Sequence, residues 1–168
     1  MSDYRRVRIP DGVYFFTVNL ADRRGTLLVD HIDRLRTAVR TVREERPFKI
    51  DAWVVLPDHM HAIWTLHGDD QDYSGRWRKI KKGFTRAHPG KDTVWQPRFW
   101  EHAIRNERDY QAHMDYVHIN PVKHGLVQRV ADWPHSTFHR LAEAGLYPTD
   151  WAGGDHDDID AGEPREFA

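Results

Sequence analysis

Apolar positions along this chain recur with two different spacings, and the switches between them mark out its elements. Residues 13–20 (VYFFTVNL) are aromatic and β-branched, the composition of a strand. Across 30–46 the spacing lengthens: Ile32, Leu35, Val39 and Val42 form one stripe, with Arg34, Arg36, Arg40 and Arg43 beside or opposite it, which predicts an amphipathic helix. Residues 48–56 read as a second strand, Pro57-Asp58 as a turn and 59–67 as a third strand, together a hairpin. A basic helix over 74–87 and a short strand over 99–105 follow. Another helix opens at Asn106 with Asp109 in its first turn, and it is expected to end near Pro121, because the residue before a proline disfavours the α region. A last amphipathic helix is expected over 136–144.

Strand, helix, strand, strand, helix, strand is the order of a ferredoxin-like or RNA-recognition-motif-like α+β sandwich, an antiparallel sheet with helices on one face and the other face open. The third strand suggests which face is which. Side chains alternate across a strand, so Met60, Ala62, Trp64 and Leu66 point one way and His59, His61, Ile63 and Thr65 the other. The first set makes the better core, which puts His59 and His61 on the open face.

Length and composition narrow the possibilities. The 168 residues fit one domain, and the absence of cysteine excludes disulfides and thiolate-ligated metal. No apolar run resembles a signal peptide or a span, so a cytoplasmic, nucleoid-associated location is expected. Charge is uneven: 150–168 carries seven acidic residues and one basic, leaving a net +5 on 1–149 out of −1 overall. Residues 1–149 are therefore expected to form the domain, and 150–168, rich in Gly and Asp, an acidic disordered tail. The mildly basic body permits a polyanionic partner.

Three groups of residues could carry chemistry. His59 and His61, side by side on one strand face, could share a metal ion if a third ligand came from elsewhere; they also read as ordinary polar residues on a half-exposed strand. Tyr116 and Asn120, four apart, share a helix face, whereas Tyr110, Met114 and Val117 form a neighbouring apolar stripe suited to packing. A tyrosine on such a helix is equally at home in the core with its hydroxyl at the rim. Arg76, Arg78, Lys79, Lys81, Lys82, Arg86 and Lys91 place seven positive charges between 73 and 91 with no acid among them, a pattern of phosphate contact or of a solvated face. Trp77, Phe84 and Trp95 nearby could stack on bases or fill the core.

Taken together, YRR…GVYFFTVNL (4–20), VVLPDHMHAIWTL (54–66), FWEHAIRNERDYQAHMDYVHINPVKHGLV (99–127) and DWPHST (132–137) resemble the REP-associated tyrosine transposases, a branch of the single-tyrosine HUH transposases. The resemblance spans roughly 4–141. It implies a ferredoxin-like core, His59 and His61 as metal ligands, Tyr116 as nucleophile and Asn120 in place of the third ligand, usually glutamine in related enzymes. It further implies a divalent cofactor, Mg²⁺ or Mn²⁺, and cleavage of single-stranded DNA at REP-type hairpins through a 5′-phosphotyrosine with a free 3′-OH. The expected DNA contacts are Arg76, Arg78, Lys79, Lys81, Lys82 and Arg86. A monomer is expected, with a homodimer as the alternative. Two rival functions remain at this stage: a non-catalytic nucleic-acid-binding module using Phe15 and Thr17 on an open sheet, and a replication-initiator nickase of the same HUH class. A small phosphoesterase of the histidine-triad type lacks its third alternating histidine, since position 63 is Ile.

Overall fold

The computed structural model describes residues 6–86, 93–154 and 159–163. Its order is β1 (Val13–Asn19), α1 (Leu27–Asp30), α2 (Ile32–Glu45), β2 (Lys49–Val55), β3 (His59–Thr65), α3 (Tyr73–Thr85), β4 (Trp100–Ala103), α4 (Glu107–Lys123), a 3₁₀ turn (Val130–Asp132) and α5 (Phe138–Glu143). The four strands pair antiparallel in the order β2-β3-β1-β4, the ferredoxin-like arrangement the periodicity predicts. Register then fixes the neighbours of the two histidines: His61 lies opposite Thr17 of β1 and Val54 of β2, and His59 lies opposite Asn19.

One face of the sheet carries Tyr14, Phe16, Val18, Met60, Ala62 and Trp64, covered by α2 and α3. Trp64 stacks on Trp77 of α3 with ring centroids 4.2 Å apart, and Phe84 and Trp95 are buried in the same cluster. These aromatic rings are core, where their large apolar area contributes most, and are not available to stack on bases.

The second face is not open. It presents its own apolar positions, Phe15, Ala52, Val54 and Ile63, and these are covered by Met114 and Val117 of α4 and by Phe138 and Leu141 of α5. Thr17 and Phe15 are fully buried, which removes the bare sheet surface that the binding-module alternative requires. Alternation on β3 alone hid this, since the histidines made that face look polar.

Helix α4 also runs past its expected end. Pro121 cannot donate a backbone hydrogen bond, yet the helix continues to Lys123 because its 116–121 stretch is buried and packing outweighs the lost bond. The stop comes at Gly125, at φ 71°, where Gly125 N–H donates to Val122 O and Leu126 N–H to Pro121 O, the pair of bonds of a Schellman cap. At the other end Asn106 caps the helix by accepting from Asp109 N–H. Asp109 in turn accepts from His102 Nε2 at 2.8 Å and from Arg105 N–H at 2.9 Å, tying α4 to β4.

The chain beyond 149 departs from the expectation of a loose tail. Trp151 packs on Tyr147, with ring centroids 4.8 Å apart, and Tyr147 donates to Asp115 of α4. Ala161 is buried, and its carbonyl accepts from Thr17 Oγ1 at 2.6 Å. Gly162 adopts φ 66°, and a Cβ there would come within 2.6 Å of the Trp100 ring, so only glycine lets the segment lie so close to β4. Residues 155–158 and 164–168 lie outside the described residues.

Candidate active site

Strand β3 delivers His59 and His61 to the covered face, both essentially inaccessible to solvent. The ring orientation of each is set by a second hydrogen bond. His59 Nδ1 lies 2.7 Å from Asp58 Oδ1, and Asp58 is held by Arg23 at 2.8 Å. His61 Nδ1 lies 2.8 Å from Thr17 Oγ1, which already donates its own hydrogen to Ala161 O and so accepts from the imidazole. Both histidines thereby turn Nε2 into the site, the orientation a metal-ligating imidazole adopts when its other nitrogen is held by a polar partner.

Helix α4 supplies the rest. Tyr116, Asn120, Lys123 and His124 recur at helical spacing, so their side chains rise from one face at successive turns. Asn120 is fully buried: its Nδ2 donates to Tyr116 O at 3.2 Å, and its Oδ1 is buried without a hydrogen-bond partner among the described residues. Lys123 Nζ lies 3.0 Å from the Tyr116 hydroxyl and 4.6 Å from its ring centre. Tyr116 stands edge-on to His61, ring centroids 5.3 Å apart. The structure therefore brings His59, His61 and Tyr116 together, with Asn120 buried one turn along α4 from Tyr116.

Glu163 completes the cluster. Its Oε1 lies 2.8 Å from His59 Nε2, 3.0 Å from His61 Nε2 and 3.1 Å from His124 Nε2. Its Oε2 accepts a hydrogen bond from the Tyr116 hydroxyl and lies 3.2 Å from Lys123 Nζ. Burial alone would raise the Glu163 pKa, but His124, His59 and His61 outweigh it and hold the carboxyl far below the usual range. Burial, with Glu163 adding to it, pushes the Tyr116 phenol well above its ordinary value. Burial lowers His61 to about 4, so it stays neutral at physiological pH. His59 is raised despite its burial, by Asp58 and Glu163. Asp58 falls to about 2, burial being overcome by His59 and Arg23.

His59, His61 and Glu163 form a group whose donor atoms lie within 4.8 Å of one another and could hold a metal ion. A second such group, His102, Asp109 and His113, is internally satisfied: Asp109 accepts from His102, and His113 Nδ1 donates to Asp109 O at 2.8 Å. Lys123, His124 and Glu163 were missed in the sequence reading. The first two were legible as continuations of the Tyr116–Asn120 face. Glu163 was not, because a single carboxylate in an acidic, Gly-containing run carries no periodic signal.

The basic helix is divided by the fold. Arg76 is 2% exposed and is fastened to Asp70, Arg46 O and Pro47 O, so it holds loops in place and is withdrawn as a DNA contact. Arg78, Lys79, Lys82 and Arg86 are exposed on the outer side of α3, across the sheet from Tyr116. Lys79 pairs with Glu45 at 3.0 Å. Lys91 lies outside the described residues. Lys81 turns to the β4 edge, where Nζ donates to Gln96 O, and burial lowers its pKa to about 8. A concavity of about 540 Å³ on that edge is lined by Arg6, Asn19, Arg98, Phe99, Trp100 and Gly162, and so runs up to the segment that covers the site.

No protein-family model matches the chain. A REP-associated tyrosine transposase of Escherichia coli (strain K12) is 60% identical over 163 residues, covering 97% of this chain and 98% of the relative. A Haemophilus influenzae relative is 42% identical over 166 residues, covering 91% and 94%. A solved structure of a REP-associated tyrosine transposase bound to a REP hairpin superposes with a TM-score of 0.92 at 59% identity, covering 98% of both chains. No described helix is long and apolar enough to cross a membrane. With identity at this level sustained over nearly the whole of both chains, this chain belongs to the REP-associated tyrosine transposases.

Proposed function

We propose that this chain cleaves and rejoins single-stranded DNA at REP-type hairpins, with Tyr116 as nucleophile. The observation that carries the reading is the setting of the Tyr116 hydroxyl: buried, 3.0 Å from Lys123 Nζ, and bonded to a carboxylate whose other oxygen faces three imidazoles. A carboxylate held this way occupies the position that a phosphate would need, with one oxygen at the phenol and one at the histidines.

The donor set fits a divalent ion. His59 and His61 turn Nε2 into the site, and the buried Asn120 Oδ1, without a hydrogen-bond partner among the described residues, is a candidate oxygen donor one turn along α4 from Tyr116. His59, His61 and Asn120 would hold Mg²⁺ or Mn²⁺, which supplies charge stabilisation at the scissile phosphate. Glu163 leaves as the phosphate arrives. The Tyr116 oxygen then forms a bond to phosphorus while the bond to the 3′ oxygen breaks, giving a 5′-phosphotyrosine and a free 3′-OH. Lys123 offsets the charge that develops on the attacking phenol oxygen, and the phenol proton ends, by way of solvent, on the departing 3′ oxygen. Attack by the 3′-OH of another strand reverses the step without an external energy source, because the phosphodiester energy is kept in the covalent link.

Arg6, Arg98 and Lys81, with Phe99 and Trp100 between them, give the β4 edge the charge and aromatic surface of a single-strand path. Arg78, Lys79, Lys82 and Arg86 are too far round the molecule for the scissile phosphate and are assigned to the hairpin stem.

The test is incubation with a labelled REP-type hairpin, Mn²⁺ and the full chain, with a chelator in parallel. A metal-dependent nick beside the hairpin and a protein–DNA adduct stable to denaturation are expected. Binding without a nick under any divalent ion would overturn the cleavage reading, and nicking only of replication-origin substrates would favour the replication-initiator alternative.

A further inference from the structure

Three imidazoles, not two, converge in the active site. His59, His61 and His124 approach Glu163 Oε1 through their Nε2 atoms, at 2.8, 3.0 and 3.1 Å, and the His59 and His124 rings are 5.0 Å apart. We propose that His124 is a third imidazole ligand of the active-site metal, alongside His59 and His61, with Asn120 a weaker oxygen donor that also orients the helix turn bearing Tyr116. This rests on the metal-dependent reading above and deepens it.

With Nδ1 of His59 and His61 held by Asp58 and Thr17, their Nε2 atoms are turned to one point, now taken by Glu163 Oε1. The His59 contact has the distance of an ion pair, yet no hydrogen bond is directed at that Nε2. Imidazole nitrogens gathered around one point are, in their neutral form, complementary to a metal cation there. His124 points its Nε2 at the same point from the end of α4, and its place is fixed by the backbone: His124 N–H donates to Asn120 O, and Gly125 closes the helix immediately after it. Asn120, by contrast, has committed its amide nitrogen to its own helix, at Tyr116 O. A histidine held by a Schellman cap is a better-fixed ligand than an amide on the preceding turn.

Ligation by three nitrogens has a chemical consequence. Imidazole binds Mn²⁺, Co²⁺ or Zn²⁺ far better than Mg²⁺, which prefers oxygen and keeps its waters. The site should therefore bind Mn²⁺ at least tenfold more tightly than Mg²⁺. It also couples metal binding to the nucleophile, because His124 and Tyr116 lie on one rigid helix.

The experiment uses the full chain with Co²⁺ alone as probe, read by calorimetry and by the anomalous signal of soaked crystals. The wild type should show one ion at about 2.1 Å from Nε2 of all three histidines, as for imidazole–metal bonds generally. His124→Gln, checked for unchanged melting, should weaken Co²⁺ binding by at least tenfold, and Asn120→Ala by less. An ion on His59 and His61 with His124 standing clear, or His124→Gln binding as wild type while His59→Ala does not bind, would overturn the assignment and leave the metal site standing. Loss on Glu163→Gln but not on His124→Gln would give the third ligand to Glu163 and equally overturn it. No ion at His59 and His61 in the wild type would instead overturn the metal-dependent reading itself.

Discussion

At the scale of single residues, buried histidines dominate the behaviour of this chain with pH. His118 is fully buried beneath α5, where its Nε2 meets Thr137 Oγ1 at 2.8 Å and Thr137 accepts from Trp53 N–H at 2.9 Å, joining α4, β2 and α5. Burial lowers its pKa to about 4. Its unfolded value is near 6.5, so between about pH 6.5 and 4 the unfolded chain binds the extra proton and stability falls as pH falls. The full effect is on the order of 3 kcal/mol for a shift of this size. Melting temperature measured from pH 7 to 4.5 should drop less steeply for His118→Asn than for wild type, although the variant starts lower because it breaks the Thr137 link. Parallel curves would show that His118 does not titrate in this range. Tyr110 illustrates a different residue-scale point. It was assigned to packing from its stripe with Met114 and Val117, and its hydroxyl is held by Asp51 Oδ1 at 3.0 Å, away from the histidines. The distinction between the two tyrosines was legible because helix geometry separates their faces.

At the scale of elements, α4 does most to build the site, and its end matters more than the sequence suggested. Pro121 was read as the stop, but buried packing carries the helix through it, and Gly125 ends it two residues after Lys123. Those two added residues and the cap after them place Lys123 and His124 beside Tyr116 and Glu163. Gly125→Ala must force a side chain into the left-handed region, at a cost of about 1–2 kcal/mol. It is expected to lower the melting point modestly while reducing adduct formation more than a surface change of equal destabilisation would. Equal losses would mean that the cap does not position the two residues. Helix α3 makes the opposite case. Its charges were legible, but their directions were not, because a run of Arg and Lys does not reveal that Arg76 is fastened inside while Arg78, Lys79, Lys82 and Arg86 face solvent. Neutralising Lys79, Lys82 and Arg86 together should weaken hairpin binding and flatten the log–log salt slope by about 3, from about 0.9 per phosphate contact on the duplex stem. The cleavage position should not move. An unchanged slope would assign this face of α3 to solvent.

At the scale of the whole molecule, the order of elements and the faces that carry His59, His61 and Tyr116 followed from two periodicities, but the closure of the candidate site did not. The second sheet face is covered because Phe15, Ala52, Val54 and Ile63 also need burial, and those residues lie on three different strands whose pairing no local pattern reveals. Glu163 reaches the site from a segment whose composition reads as solvated, held by Ala161 under Thr17 and by Gly162 against Trp100. Since the carboxylate sits on the Tyr116 hydroxyl, Glu163→Ala should lower the phenol pKa and raise the initial rate of adduct formation. Gly162→Ala should do the same by undocking the segment with the carboxylate intact. A fall in rate for Glu163→Ala would instead make Glu163 the base that takes the Tyr116 proton. All of this depends on one atom being the nucleophile, and the most direct measurement is to find it. A denatured adduct formed with a labelled REP-type hairpin and Mn²⁺, digested and sequenced by mass spectrometry, should carry its phosphonucleotide on Tyr116. Tyr116→Phe should fold and bind the hairpin yet give no adduct, while Tyr110→Phe gives one. A modified residue other than Tyr116, or an adduct that persists in Tyr116→Phe, would contradict the account.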